Sequence, residues 1–284
     1  MTTIYRTEAG ARRLEQHYRD LLAAWPVESE HRFIPTREGE TFVCVSGPVD
    51  APAVILLHGS GSNSAMWLGD VAAWSGEFRT YAVDLVGEPG LSARSRPALD
   101  SSAPALWLDD VLDGLELDHA AVVGISLGGW HALDYAIRRP DRVDRLVALC
   151  PGGLGRQTMG WLPAVILLRL LGPWGVRRSV AMVAGIDPKT SGPELEYTAA
   201  NFGEFLPRKE RLPLFTNEAL RGLEVPVMII VGERDAMFDS AETARRAAAL
   251  PHATVRSLPG IGHAVLGQTA PILEFLRGFG TMPG

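Results

Sequence analysis

The stretch Ala121-Val122-Val123-Gly124-Ile125-Ser126-Leu127-Gly128-Gly129 constrains this chain more than any other. It sets a serine between two glycines, directly after an apolar β-branched run, and an amphipathic pattern from Trp130 to Arg139 follows. A strand that turns this sharply into a helix holds its corner residue in a strained backbone conformation. Gly124 and Gly128 lack a Cβ, so backbone can pack closely on both sides of the corner. Ser126 is then expected to project its hydroxyl above the sheet, next to a helix N-terminus. Free N–H groups and the positive end of a helix dipole would meet an oxyanion formed there.

Serine is a weak nucleophile at neutral pH and needs a base, and the base needs an orienting acid. Val227-Met228-Ile229-Ile230-Val231 reads as a buried parallel strand running into Gly232-Glu233-Arg234-Asp235. A carboxylate therefore falls just past the strand end. Thr254-Val255-Arg256-Ser257-Leu258 reads as the next strand and runs into Pro259-Gly260-Ile261-Gly262-His263, which puts an imidazole on the following loop. The expected catalytic set is Ser126, Asp235 and His263. Asp239 is the rival acid, and it suits equally well as an N-cap for a helix starting near Ala241. His58 is the rival base. It also ends a strand, but its loop, His58-Gly59-Ser60-Gly61-Ser62, fits a donor of an oxyanion N–H better. The N–H groups of Ser60 and Leu127 are the expected oxyanion hole. The side chains of Ser60, Ser62 and Ser64 either assist or are plain loop polars. Asp84, at another strand end, reads as a loop brace.

Apolar runs at 54–57, 81–83, 121–123 and 146–149 alternate with helical patterns at Met66–Ser75, Pro104–Leu117 and Trp130–Arg139. Strands apolar on both faces between helices indicate a doubly covered parallel sheet, an α/β fold. Residues 8 to 25 show an amphipathic helix ended by Pro26 and packed outside the core. Residues 31 to 46 suggest an antiparallel pair turning at Gly39-Glu40. The alternation stops after Pro151-Gly152-Gly153, and a structureless loop up to Val227 is improbable. A helical cap is expected there. Its aromatics Trp161, Trp174, Phe202, Phe205 and Phe215 form either the roof of an acyl pocket or the cap's own core. Trp161 to Leu171 is the longest apolar stretch and is too short to span a bilayer. It reads as a helix buried under, or lying over, another element.

The 284 residues carry a formal charge of -6, and basic residues cluster only in pairs, so nucleic acid is not an expected partner. Cys44 and Cys150 lie in apolar runs and read as buried free thiols, which fits a reducing cytosol. No apolar segment near Met1 resembles a secretory signal. There is no H-x-x-x-H or C-x-x-C, and Gly59-Ser60-Gly61 lacks the spacing of a dinucleotide fingerprint. Neither metal nor cofactor is expected.

His58-Gly59-Ser60-Gly61, Asp84-Leu85-Val86-Gly87, Gly124-Ile125-Ser126-Leu127-Gly128-Gly129, Gly232-Glu233-Arg234-Asp235 and Gly262-His263 together resemble the α/β-hydrolase superfamily over nearly the whole chain. The chain order serine, acid, histidine is the order of that fold. Residues 74–84 and 215–220 are similar to bacillus-type carboxylesterases of the naproxen-esterase group. The resemblance implies an α/β-hydrolase fold with a mostly parallel eight-stranded sheet and a helical cap. The expected division is an N-terminal helical extension at 1–30, a core at 31–153 and 222–284, and a cap at 154–221. It implies a cofactor-free, cytoplasmic serine esterase that forms an acyl-enzyme on a small-molecule ester, with a homodimer left open. Some members of that group use glutamate as the acid, where this chain has Asp235. Two alternatives stay open. One is a C–C bond hydrolase of the meta-cleavage type, whose H-G-S-G-x-x-S loop His58 to Ser64 fits loosely, with Ser62-Asn63 where Pro-Gly is usual. The other is a non-catalytic ligand-binding protein on the same fold.

Overall fold

The structure, a computed structural model, describes residues 3–187 and 192–278. The chain opens with helix α1 (Glu8–Ala23), capped by the Thr7 hydroxyl, which accepts the Gly10 N–H at 2.9 Å. Strands β1 (Ser29–Thr36) and β2 (Gly39–Ser46) form the antiparallel pair, and they turn at Arg37-Glu38, two residues before the expected turn. Gly39, at φ 100°, takes the left-handed backbone that leaves this turn. Strand β3 (Ala53–Leu57) leads to a 3₁₀ turn at Ser64–Trp67 and a single helical turn, α2 (Val71–Trp74). The continuous helix expected over Met66–Ser75 is thus broken around Gly69, the residue with the least helix propensity in that stretch.

Strand β4 (Arg79–Val83), helix α3 (Ala103–Gly114), strand β5 (Ala120–Ile125), helix α4 (Leu127–Arg138) and strand β6 (Val143–Leu149) continue the alternation. Helix α4 starts at Leu127, three residues earlier than its amphipathic pattern suggests. Helices α5 (Leu162–Arg169), α6 (Gly172–Ala184), α7 (Gly192–Glu204) and α8 (Asn217–Arg221) lie between β6 and β7 (Val227–Gly232). Helix α9 (Ser240–Ala247), strand β8 (Ala253–Leu258) and helix α10 (Thr269–Arg277) complete the chain. The eight strands form one sheet in the order β1-β2-β4-β3-β5-β6-β7-β8. Both pairings of β2 are antiparallel and the rest are parallel.

Each central strand is buried on both faces, as its unbroken apolar run requires. One face packs on α3 and α4 through Trp107, Trp130 and Tyr135, and the other is closed by Trp67, Trp74 and α10. Helix α1 does more than cover the outside. Its Tyr18 is buried against the second face and donates to Asp84 at 2.9 Å. Cys44 and Cys150 are both buried free thiols. Helix α5 has no buried residue, so of the two readings of this apolar stretch burial under another element does not hold. It does lie over another element, packing on α6 so closely that a Cβ on Gly175 would sit 1.7 Å from Leu168 O.

Because β3, β4, β5, β6, β7 and β8 are parallel, their C-terminal ends share one edge of the sheet. The loops that begin with His58, Asp84, Ser126, Cys150, Glu233 and Pro259 all leave from that edge.

Candidate active site

Ser126 lies at φ 54° and ψ −109° between β5 and α4, a conformation that costs a non-glycine residue about 1–3 kcal/mol. The surrounding backbone holds it there. Its N–H donates to Leu149 O at 2.9 Å, and its carbonyl accepts the N–H groups of Trp130 at 3.0 Å and Gly152 at 3.2 Å. The glycines are demanded by close approach. A Cβ on Gly124 would sit 2.3 Å from Gly128 O, and one on Gly128 would sit 2.1 Å from Leu57 O. The corner therefore presses directly on β3, and β3 carries the loop that faces the serine.

Asp235 follows β7 in a tight turn. Its Oδ1 accepts the N–H groups of Met237 at 2.6 Å and Phe238 at 3.1 Å. That pins the carboxylate, and Oδ2 meets His263 Nδ1 at 2.8 Å. The rival Asp239 is used elsewhere. It caps α9 by accepting the Glu242 N–H at 2.9 Å.

His263 sits on the loop after β8. Gly232 and Gly262 let this loop pack on the end of β7, since a Cβ on Gly232 would lie 2.1 Å from Gly262 O. The loop is also held by Arg234 N–H to Ile261 O at 2.8 Å and by Ala264 N–H to Ala184 O, at the end of α6, at 2.8 Å. With Nδ1–H donated to Asp235, the neutral ring presents a lone pair on Nε2, which lies 3.0 Å from Ser126 Oγ. The imidazole is only 13% exposed and the carboxylate 2%. Burial works against an imidazolium here. Cys150 and Asp235 favour it more strongly, and the pKa ends above the ordinary histidine range. Cys150, at φ 36°, donates its thiol to the His263 carbonyl at 2.9 Å.

The structure thus joins Ser126, His263 and Asp235 in one hydrogen-bonded chain. Cys150, Asp235 and His263 also form the grouping of metal-ligating side chains found among the described residues, with candidate atoms within 4.8 Å. The ring nitrogen and the thiol in that group already serve the hydrogen bonds just described.

The loop from His58 lies beside the serine, and a Cβ on Gly59 would be 3.6 Å from Ser126 Cβ. Among the described residues, neither Ser60 N–H nor Leu127 N–H donates to another backbone carbonyl. His58 braces the loop. Its Nε2 accepts the Leu85 N–H at 2.9 Å and its Nδ1 lies 2.8 Å from Gly59 O, so the buried ring is neutral. Asp84 braces it as well, accepting from Tyr18, from both N–H and Oγ of Ser64, and from Leu91. The serine hydroxyls serve the loop itself. Ser64 Oγ donates to Asp84 Oδ1 at 2.7 Å, and Ser60 Oγ to Glu88 Oε2 at 3.0 Å.

Sequence reasoning missed Glu88. It is buried, and its Oε2 also accepts the Gly61 N–H at 2.7 Å, while Oε1 has no partner. Burial pushes its pKa up to about 7, against the lowering effect of Gly61, Ser60, Arg96 and Arg208. The available signal was a carboxylate four residues past Asp84, in an otherwise apolar and glycine-rich strand-end loop. Two side chains of α7 lie against the same loop. Asn63 Nδ2 donates to Tyr197 Oη at 2.6 Å, and a Cβ on Gly61 would strike the Phe202 ring. The other cap aromatics serve different purposes. Phe205 packs with Ile4, Tyr5 and Leu14, Phe215 stacks on Trp130 at 5.7 Å, and Trp174 is exposed.

The family described as alpha/beta hydrolase matches residues 54–276. The carboxylesterase YbfK of Bacillus subtilis is 34% identical over 272 residues, covering 92% of this chain and 88% of that protein. The carboxylesterase nap of the same organism is 30% identical over 269 residues, covering 91% and 88%. The crystal structure of YbfK superposes with a TM-score of 0.83 at 32% identity, over 95% of this chain and 98% of that one. The crystal structure of naproxen esterase from Bacillus subtilis does so at 0.84 and 29%, over 97% and 100%. The chain belongs to the alpha/beta hydrolase family and is carboxylesterase-like within it.

Proposed function

We propose that the protein is a serine esterase that cleaves small carboxylic esters through an acyl-enzyme, with Ser126, His263 and Asp235 as its triad. The observation that carries this reading is the chain Asp235 Oδ2–His263 Nδ1 at 2.8 Å and His263 Nε2–Ser126 Oγ at 3.0 Å. His263 Nε2 takes the hydroxyl proton as Oγ bonds to the acyl carbon. Negative charge moves to the former carbonyl oxygen, and the N–H groups of Ser60 and Leu127 stabilise it at the head of α4. Asp235 holds the imidazole in the Nδ1–H tautomer and favours the imidazolium as it forms. The imidazolium then protonates the departing alcohol. Water, deprotonated by the same nitrogen, attacks the acyl-serine and releases the acid. The carboxylesterase relatives support the ester class, and Phe202 and Tyr197 above the oxyanion loop support a cap over the acyl site.

Ser126→Ala should lower kcat on a p-nitrophenyl ester by about four to six orders of magnitude, with an unchanged circular dichroism spectrum. A fluorophosphonate should label the wild type and leave the variant unlabelled. Wild-type turnover by the alanine variant removes the proposal. Turnover of a vinylogous diketone in preference to simple esters would move it to C–C hydrolysis.

A further inference from the structure

Ser60 sits between two glycines, in Gly59-Ser60-Gly61, and backbone of that composition has little stiffness of its own. Gly61 cannot give way to a stiffer residue. It lies at φ 73°, and a Cβ there would sit 2.5 Å from Phe202 Cζ. An N–H that is to meet an oxyanion must nevertheless keep one direction, so the loop has to be held from outside.

Two side chains hold it, one on each side of the Ser60 Cα. Gly59 O and the Ser60 N–H belong to one planar peptide and point opposite ways. His58 Nδ1–H donates to that carbonyl at 2.8 Å, which sets the plane of the Ser60 N–H. The next peptide is set by Glu88. Its Oε2 accepts the Gly61 N–H at 2.7 Å and the Ser60 hydroxyl at 3.0 Å. The first bond fixes the backbone that leaves Ser60, and the second fixes its side chain. Glu88 itself stands on rigid backbone. Gly87 N–H donates to Ala93 O at 2.8 Å, Gly90 N–H to Glu88 O at 2.9 Å, and Asn63 Nδ2 to Pro89 O at 2.7 Å.

Packing does not explain an acid here. Glu88 is 1% exposed, and its Oε1 has no hydrogen-bond partner among the described residues. Arg96 and Arg208 favour its charge, yet burial outweighs them. An apolar side chain of similar volume would fill the space without that penalty. What it would not supply is an acceptor for the two groups that orient Ser60. We propose that Glu88 is a positioning residue for oxyanion stabilisation, aiming the Ser60 N–H at the oxygen that becomes negative when Ser126 attacks; this deepens the esterase reading and rests on it. The acceptor does this and not the charge, because a proton taken up on Oε1 leaves Oε2 able to accept.

The test compares Glu88→Gln, Glu88→Asp and Glu88→Ala on p-nitrophenyl butyrate. Glutamine keeps the acceptor without the charge. Aspartate keeps the charge but, a methylene shorter, loses the reach. Glu88→Gln should stay within about tenfold of the wild-type kcat, while Glu88→Asp and Glu88→Ala should each lose about 10²-fold. KM and the acid limb of kcat/KM should not move. Affinity for a trifluoromethyl ketone, which adds to Ser126 as a tetrahedral oxyanion, should fall in step with kcat. Hydrogen exchange over residues 58–64 should quicken in the aspartate and alanine variants alone. Exchange is read without substrate, so the hold on the loop and the esterase reading can fail separately. A loss in Glu88→Gln as large as in Glu88→Asp would assign the effect to charge and overturn the proposal. Wild-type kcat in all three variants also overturns it, as does a loss carried by KM and a displaced acid limb, the mark of general damage. If Glu88→Ala does not fold, glutamine against aspartate decides.

Discussion

Replacing Glu88 by glutamine should flatten the dependence of stability on pH. The carboxyl is fully enclosed behind the loop that starts at His58, and its pKa rises from an ordinary 4.5 to about 7 because burial opposes the charge. An acid whose folded pKa is raised binds its proton more tightly in the native state. Its stabilising contribution is complete below the unfolded value and is lost as pH climbs through the folded one. At about 1.36 kcal/mol per unit, the full loss is roughly 3 kcal/mol, with about 2.5 kcal/mol of it falling between pH 5 and pH 8. Glutamine does not titrate, and its carbonyl oxygen still accepts from Gly61 N–H and Ser60 Oγ. Urea melts of wild type and Glu88→Gln, followed by tryptophan fluorescence at both pH values, give the difference directly. The variant should gain about 2.5 kcal/mol on the wild type from pH 5 to pH 8, a relative midpoint shift on the order of 1 M. Activity separates the brace from the charge. Glu88→Gln should keep kcat within about tenfold, whereas Glu88→Ala removes the oxygen that accepts both bonds and should lose about 10²-fold, as when an oxyanion donor is displaced. Parallel stability profiles for wild type and Glu88→Gln would refute the buried-charge argument.

Asp235→Asn should lower kcat by about 10⁴ while Asp239→Ala leaves kcat alone and costs about 1 kcal/mol of stability through the lost cap of α9; the reverse pattern exchanges their roles. The profile of kcat/KM against pH should rise with its acid limb above the ordinary histidine value of 6.5, because a raised pKa keeps His263 protonated, and unable to act as base, to higher pH. A limb at or below 6.5 contradicts the environment described for that ring. Gly128→Ala should lower both the melting temperature and kcat, since its Cβ would press on Leu57 O and move β3 together with the loop it carries; an unchanged melting temperature would deny the close approach.

The sheet and the three hydrogen-bonded residues were legible because their signals are local. Ser126 stands between glycines that only a close crossing explains, Asp235 follows a five-residue apolar run by four positions, and His263 follows the strand-like Thr254-Val255-Arg256-Ser257-Leu258 by five. Glu88 was not legible. Its importance comes from Gly61 and Ser60 arriving from another strand end, a contact that the one local signal, a carboxylate in a glycine-rich loop, does not specify. The cap was readable as helical but not in its packing. Phe202 and Phe205 are three residues apart on similar sequence, yet one covers Gly61 and the other sits against Leu14 of α1. Full burial of α5 did not follow from its composition, because it packs on α6 along one side only: Ala164, Val165 and Leu168 are half-buried while Leu162, Ile166 and Leu167 are exposed.

The serine and its two partners belong to different moments of synthesis. A ribosome releases the elbow after β5 while the strands that bring Asp235 and His263 are still unmade, and the whole cap must emerge between them. Until β7 and β8 add to the sheet beside β6, the growing polypeptide carries Ser126 without the His263 and Asp235 that join it in the finished hydrogen-bonded chain. Under the proposed mechanism the docking of the final strands completes the reactive site, which makes turnover a reporter of completed folding: in refolding, hydrolysis should return later than the burial of Trp107 and Trp130 against the central strands.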